Sequence, residues 1–503
     1  MPYLDRTPAR GTRLHPGRFC PWAFALVWAL ASFADAMARK PALIPPGVDT
    51  LVIASLADVE SALGTTSESI QRTPIADSLS HEWEDCGVRW YRNEINWKDC
   101  EIGRRGEYAF PGYRMEGNPH PIEAFFDSLQ SHRITPYVLL NGGNALYGAS
   151  GAVVGESKFD LRNPGMNMLS PEGFSRFCAA FASRFRDRVR YFEIGNEPHN
   201  YLFWDYFAGP EDRHAGRIWG PHLIEYFNAA AEAIKRVHPK ARILSPGEDD
   251  GGLAAAERYL PAIAKHVDIL AIHPYVNDAD PTPEGSYAYA IEPYLRLAKA
   301  NGIGETWITE IGWAAPPDGA PGPQREEGRR TTALGQAKYL CRGLFFYPIR
   351  CGIKVVGQFC WTGGDRGWQI RAPAKRALRN LAALTRNSSP APALSAWKGT
   401  MARFAVGPQA GPAADIERYL LIKTDKVAYL AFWFRAAQDD AFPKRSAKVS
   451  LSLPGGIRVR AVRSHDLLDG SVANVPFAVG PSGLVIDQTW ITDYPNLVEL
   501  DLK

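Results

Sequence analysis

The sequence predicts an α/β fold, a (β/α)8 TIM barrel followed by a C-terminal antiparallel β-sandwich. Three observations carry this. From about Val48 to Arg386, short apolar runs alternate with longer helix-like stretches, the pattern of a parallel sheet covered by helices. A Pro/Ser segment, Asn387-Ser388-Ser389-Pro390-Ala391-Pro392, then breaks the alternation. Beyond it come short strands with turn signals and no helical stretch, as in a small sandwich. The expected organisation is therefore an export signal over residues 1–38, a barrel over 39–386, and a linker with sandwich over 387–503.

Seven barrel strands are visible: Gly87–Arg92, Ile134–Asn141, Val189–Gly195, Arg242–Ser245, Val267–His273, Thr306–Glu310 and Val355–Trp361. Each is rich in Val, Ile, Leu, Tyr or Phe, as strands buried on both faces are. An eighth is expected before Ala57. Helices are predicted over Pro171–Arg186, Pro221–Val237, Glu327–Arg350 and Pro373–Arg386, and Pro171 after Ser170 suits a first helical position. In the sandwich, Val427–Phe434, Lys448–Leu453, Ile457–Val462 and Leu497–Leu502 read as strands, separated by turns such as Pro454-Gly455-Gly456 and Asp469-Gly470.

The composition is that of a folded protein able to bury a sizeable core, with 46% hydrophobic and 22% charged residues. A net charge of +3, helped by Arg6, Arg10, Arg13 and Arg18, implies no acidic partner, and no basic stripe with interleaved aromatics suggests nucleic acid. The basic stretch ending at Arg18, the apolar run Phe19–Phe33 and the small-x-small patterns Ala34-Asp35-Ala36 and Ala36-Met37-Ala38 resemble an export signal. The expected location is secreted or periplasmic, with no integral membrane segment after signal cleavage. Beyond Cys20, the cysteines are Cys86, Cys100, Cys178, Cys341, Cys351 and Cys360. An oxidising compartment permits bridges such as Cys86–Cys100 or Cys341–Cys351, and buried free thiols are the equal alternative. No CxxC pair or His/Cys cluster suggests zinc, and no metal, nucleotide or redox cofactor is expected. The glycine-rich stretch Gly142–Gly155 lacks the spacing of a phosphate loop.

Two carboxylates stand out. Tyr191-Phe192-Glu193-Ile194-Gly195-Asn196-Glu197-Pro198 reads as a strand ending in a polar turn, and Trp307-Ile308-Thr309-Glu310-Ile311-Gly312-Trp313 as another ending on a carboxylate. In a (β/α)8 barrel the C-terminal strand ends carry the chemistry. Glycosidic cleavage needs one acid to protonate the leaving oxygen and one carboxylate near the anomeric carbon. In a retaining enzyme these lie about 5–5.5 Å apart. Glu197 is the expected acid/base and Glu310 the expected nucleophile.

At these residues the chain resembles glycoside hydrolase clan A, with an Asn-Glu pair after strand four and a glutamate nucleophile after strand seven. Gly87-Val88-Arg89-Trp90-Tyr91-Arg92, with Trp97 beyond, looks like the clan's strand two; His273-Pro274-Tyr275 looks like strand six and Phe359-Cys360-Trp361 like strand eight. Within the clan the chain is most similar to family 39 and its bacterial relatives. Glu193–Pro198 followed by Phe203-Trp204, the stretch Val237-His238-Pro239-Lys240-Ala241, and the sandwich after the barrel carry that likeness. One departure is Gly195, where such families often have Trp.

The resemblance implies an oligo- or polysaccharide substrate and a role for each neighbour. Arg92 would hold the nucleophile ionised, Asn196 would bond the sugar 2-hydroxyl, and Tyr275 would position Glu310. His273 would line the same wall, and Trp361 would offer its face to a sugar ring. Trp204, Trp313, Trp97 and His199 are further substrate-contact candidates, and Glu94 and Asp365 receive no role. Transglycosylation would use the same residues. A non-catalytic glycan-binding barrel is the alternative from another class, and Tyr429, Trp433 and Trp490 would serve if the sandwich bound sugar.

Overall fold

The computed structural model describes residues 51–66, 77–110, 112–115, 118–147, 170–199, 221–275, 282–285, 287–317, 331–362, 367–392, 394–406 and 415–503. Residues 1–38, expected as an export signal, and Trp204 and Asp365 lie outside them. Among the described residues no helix is long and apolar enough to cross a membrane.

The barrel strands are, in order, Leu63–Thr66, Trp90–Asn96, Thr135–Asn141, Tyr191–Ile194, Arg242–Leu244, Leu270–His273, Thr306–Ile311 and Val356–Gln358. Neighbours pair in parallel, and the eighth pairs with the first. Between the fifth and sixth strands the ring is closed by a parallel bridge, Leu244 with Ile269, and by Ser245 N–H donating to the Ile269 carbonyl at 3.0 Å. Each strand is followed by at least one helix before the next begins, so the barrel is complete.

The strand expected before Ala57 exists, but not in the barrel. Val52–Ser55 pairs in parallel with Ile416–Ile422 and is an edge of the sandwich. The true first barrel strand, Leu-Gly-Thr-Thr over Leu63–Thr66, has no β-branched aliphatic residue to announce it. Its glycine is needed for packing: a Cβ at Gly64 would meet Val355 Cγ1 at 3.1 Å and Trp90 Cβ at 3.2 Å.

Helix boundaries follow local chemistry. Ser170 caps Pro171–Arg184 by accepting from Gly173 N–H, and Thr332 caps Ala333–Cys351 by accepting from Gly335 N–H. Gly352, at φ 67°, ends that second helix in the left-handed conformation. Pro221–Val237 spans the expected range, and Ala372–Thr385 lies within one residue of it.

Period-two alternation sorts the strand residues. One set packs outward against the helices: Tyr91, Phe192, Ile194, Ile272 and Ile308. The inward set closes the lower barrel with rings and aliphatics: Trp90, Tyr137, Tyr191, Leu244, Ala271 and Trp307. Trp307 lies 4.8 Å from Trp90 and 5.0 Å from Tyr191 by ring centroids. One inward step further up the same strands stand Arg92, Glu193, His273 and Thr309. The apolar plug thus supports a polar layer above it.

The sandwich has a six-stranded sheet, in which Val427–Phe434 and Asn496–Leu502 are central, and a four-stranded sheet of Ala402–Val406, Arg445–Leu451, Gly483–Ile491 and Phe477–Gly480. It is antiparallel apart from the Val52–Ser55 edge. The strands Ile416–Ile422, Val427–Phe434 and Asn496–Leu502 of the larger sheet are buried on both sides. Leu420, Leu430 and Val498 face the smaller sheet. Tyr419, Tyr429, Trp433 and Leu497 join the barrel core instead. Tyr429 and Trp433 are therefore core residues. Trp433 Nε1 donates to Glu284 at 2.9 Å, and only half-buried Trp490 of the three aromatic candidates keeps an accessible face.

Ion pairs stitch the sandwich to the helix Ala333–Cys351. Lys338 Nζ lies 2.8 Å from Asp493 Oδ1 with both side chains buried, and Arg350 pairs with Glu417 at 2.8 Å. A buried charge left alone is expensive, so Lys338→Met, which strands Asp493, is expected to cost about 3 kcal/mol in urea unfolding. A change under about 0.5 kcal/mol would show that this junction does not share the stability of the whole.

Cys86, Cys100, Cys178, Cys341, Cys351 and Cys360 are all free and buried. Neither suggested bridge is formed. Burial pushes the Cys86 and Cys341 thiols up to about 12, which makes them poor nucleophiles.

Candidate active site

Four strand ends converge above the aromatic plug. From the second strand, Arg92 sends Nε to Glu193 Oε2 at 2.7 Å and Nη2 to Glu193 Oε1 at 2.8 Å. The same Nη2 donates to Asn196 Oδ1 at 2.8 Å, and Nη1 donates to Glu310 Oε1. A planar fork with several donors suits this, holding two carboxylates and an amide at fixed angles. Burial acts to lower the guanidinium, but the charges of Glu193 and Glu310 outweigh it, and Arg92 is raised well above its ordinary range.

The fourth strand ends in strained backbone. Gly195 has φ +81° and Glu197 has φ +44°, both left-handed. The first is comfortable only for glycine; the second stores strain, as active-site residues often do. Two anchors hold the turn: Asn196 bridges to Gly247, and Glu197 N–H donates to the Gly247 carbonyl at 2.7 Å. Gly195 thus has a backbone reason to differ from tryptophan.

From the sixth strand, His273 Nδ1 lies 2.8 Å from Glu197 Oε1, and Nε2 lies 3.0 Å from Thr309 Oγ1. Tyr275 hydroxyl donates to Glu310 Oε2 at 2.9 Å, and its ring packs on Trp368 at 5.3 Å. On the seventh strand the pairing register shifts between Ile308 and Ile311. That irregularity lets Thr309 and Glu310, consecutive residues, both reach the interior, which strict alternation forbids.

Glu310 is 9% exposed. Burial acts to raise its carboxyl, but the charges of His273 and Arg92 and the hydrogen bonds from Tyr275 and Arg92 prevail, and it is held below the usual range. His273 is the reverse case. Burial acts to lower it, and Glu310 and Glu197 outweigh burial, leaving the imidazole raised. One donor atom each from Glu197, His273 and Glu310 lies within 4.8 Å of the others. That span would fit a metal ion, but the permanent charge of Arg92 against Glu310 opposes a cation there, and we read the three as a proton-handling group. A second such trio, His81, Glu84 and His132, has Arg89 and Arg133 acting on Glu84.

The structure thus brings together Arg92, Asn196, Glu197, His273, Tyr275 and Glu310. Trp361 is fully buried, its Nε1 donating to Glu82 at 3.1 Å. Trp313 is buried beside Tyr339, and Trp97 is buried with Nε1 donating to Glu101. His199 is held between Glu248 at 2.5 Å and Asp249 at 3.1 Å, tying the turn after strand four to the segment after strand five. Glu94 is exposed and accepts from Asn141.

Sequence reasoning gave no role to three residues. Glu193 is a charged residue between Phe192 and Ile194 on an apolar strand, a signal in itself. Thr309 carries none. Gly247 is legible only as Ser245-Pro246-Gly247 ending a strand. A Cβ there would fall 2.2 Å from His273 Nε2 and 2.8 Å from Glu193 Oε1. Gly247→Ala is expected to displace the imidazole and lower kcat/KM on the order of 10²-fold, since misplacement by about 1 Å costs that much. Kinetics alongside a thermal melt check this; activity within about threefold of wild type would show that the site tolerates the shift.

No family model matches the chain, and no curated protein matches its sequence. Solved structures do resemble it. A family 39 glycoside hydrolase of Bacteroides cellulosilyticus WH2 superposes with TM-score 0.54 at 16% identity, over 89% of this chain and 82% of that one. A monomeric β-xylosidase of Caulobacter crescentus CB15 gives 0.55 at 13%, over 89% and 99%. A GH30 endoxylanase of Clostridium papyrosolvens C71 gives 0.52 at 13%, over 90% and 100%. At these identities the likeness is one of fold, barrel and sandwich together.

Proposed function

We propose that the chain is a retaining glycoside hydrolase that cleaves β-linked oligo- or polysaccharides, with Glu310 as nucleophile and Glu197 as acid/base. The observation that carries this is the closeness of the two carboxylates, an oxygen of each within 4.8 Å of the other. Inverting enzymes leave roughly 6.5–9.5 Å between carboxyl groups so that a water fits; direct attack needs about 5–5.5 Å.

The chemistry runs in two displacements. Glu310 attacks the anomeric carbon while the bond to the leaving oxygen breaks and the Glu197 proton passes to that oxygen. Water then attacks the same carbon, Glu197 takes its proton, and the bond to Glu310 breaks. Two inversions give retention. Arg92 and Tyr275 support an ionised Glu310, the form that attacks. Asn196, its Oδ1 fixed on Arg92, is left with its amide N–H2 end to donate to a sugar hydroxyl, a contact that strengthens in the transition state. None of these steps draws on a cofactor. The pattern of residues 1–38 supports export, and polymeric glycans outside the cytoplasm are the proposed substrates.

The test is reducing-sugar release from a polysaccharide panel, with xylan first because two of the similar structures are a xylosidase and a xylanase. Proton NMR of the first product formed would follow. Release of a β-anomer is the expected result. An α-anomer would mean inversion, and no release across the panel would favour a glycan-binding role.

A further inference from the structure

Resting on the acid/base assignment of Glu197, we infer that Thr309 and Glu193 are positioning residues that lock His273 with a proton on Nε2, leaving Nδ1 to share a single proton with Glu197. The argument is one of counting donors. Glu193 receives two N–H groups of Arg92, a cation under all conditions, and as a carboxylate it can only accept. The Thr309 hydroxyl has one hydrogen, and it donates to Glu193 Oε1 at 3.3 Å. Its oxygen, 3.0 Å from His273 Nε2, must therefore accept, so Nε2 carries the hydrogen. Glu193 Oε1, 3.9 Å from Nε2, favours the same assignment. Gly247 leaves the ring room to sit there.

The nitrogen that titrates is then Nδ1, 2.8 Å from Glu197 Oε1. The groups facing the imidazole are Glu197 and Glu193 from the fourth strand and its turn, Glu310 from the seventh at 3.9 Å, and Arg92 from the second. Tyr275, on its own strand, faces Glu310 rather than the ring. Glu197 and Nδ1 hold one proton between them, and its apparent titration belongs to the pair. If that proton leaves, an Nδ1 lone pair and a carboxylate oxygen confront each other at hydrogen-bond distance. The lock therefore resists the loss of the shared proton.

Removing the Thr309 hydroxyl frees the tautomer. A neutral His273 can then carry its hydrogen on Nδ1 and donate to ionised Glu197 at 2.8 Å, a better contact than Glu193 at 3.9 Å. The Glu197 carboxylate then gains a donor that the locked tautomer denies it. In Thr309→Val the alkaline limb of the kcat/KM profile should move down by about one pH unit, the worth of one such hydrogen bond. The acidic limb, set by Glu310, should stay. Thr309→Ser should restore the wild-type profile.

The direct readout needs no turnover. With 15N-labelled histidine, and the His273 signals assigned by their loss in His273→Gln, NMR above the pair's titration should show hydrogen on Nε2 in wild type and on Nδ1 in Thr309→Val. Hydrogen on Nδ1 in the neutral wild-type ring overturns the inference, as does an alkaline limb that stays put in an active Thr309→Val. An inactive wild type with hydrogen on Nε2 would instead overturn the hydrolase reading and leave the lock standing.

Discussion

Glu310→Ala should lower kcat by roughly 10⁴-fold or more on every substrate the protein cleaves, about 5.5 kcal/mol of lost transition-state stabilisation. The size follows from what disappears. Alanine has no atom that can bond to the anomeric carbon, so the first displacement is lost outright. The fold should hold. Arg92 keeps Glu193 and Asn196, and removing one of three acceptors around a buried guanidinium leaves it paired. A thermal melt within a few degrees of wild type is therefore expected alongside the kinetic collapse. Glu310→Asp separates chemistry from charge. It keeps the anion beside Arg92 but withdraws the oxygens by about one methylene, and a loss nearer 10²-fold is expected from misplacement alone. Adding azide to Glu310→Ala supplies a small nucleophile from the vacated side and should yield a glycosyl azide of inverted configuration. Activity in Glu310→Ala above about a tenth of wild type, without azide, would remove Glu310 from the reaction.

What could be read in the sequence follows physical lines. Seven barrel strands were legible because strands buried on both faces are apolar throughout. The remaining one, the first strand Leu63–Thr66, was not, because its burial comes from a glycine and two threonines packed at close range. Val52–Ser55 has the composition of a strand, but composition cannot say which sheet will take it, and its partner Ile416–Ile422 lies more than 350 residues away. Asn196, Glu197 and Glu310 stood out because polar groups at strand ends break an apolar run, and His273 and Tyr275 through the resemblance to clan A. Thr309 and Gly247 did not. Their importance comes from distances between strands, 3.0 Å from an imidazole in one case and the room for that imidazole in the other. Tyr429 and Trp433 mislead for a related reason. Aromatics on a sandwich suggest a surface only while its outer face is assumed to be solvated, and here that face is covered by the barrel.

Glu197→Ala should divide the two displacements instead of abolishing both. On natural linkages, whose leaving oxygen needs a proton, kcat/KM should fall about 10²–10⁴-fold, the usual worth of general acid catalysis. On an aryl glycoside with an acidic phenol the first displacement needs no proton and should be little slowed. The second still needs a base to take the proton of water, and the base is gone. The glycosyl-enzyme on Glu310 should then accumulate, giving a burst of phenol with kcat and KM falling together. Azide needs no base. It should enter on the side that Glu197 occupied, raise kcat with the aryl substrate, and give a glycosyl azide with the substrate's own configuration, opposite to that from Glu310→Ala. The alkaline limb should also vanish with the aryl substrate, since the proton shared with His273 no longer has a second holder. If the roles were exchanged the products would swap, with inversion from Glu197→Ala and retention from Glu310→Ala, because each anion must enter from the face where a carboxylate was removed. The same configuration from both would exclude a double displacement across this pair.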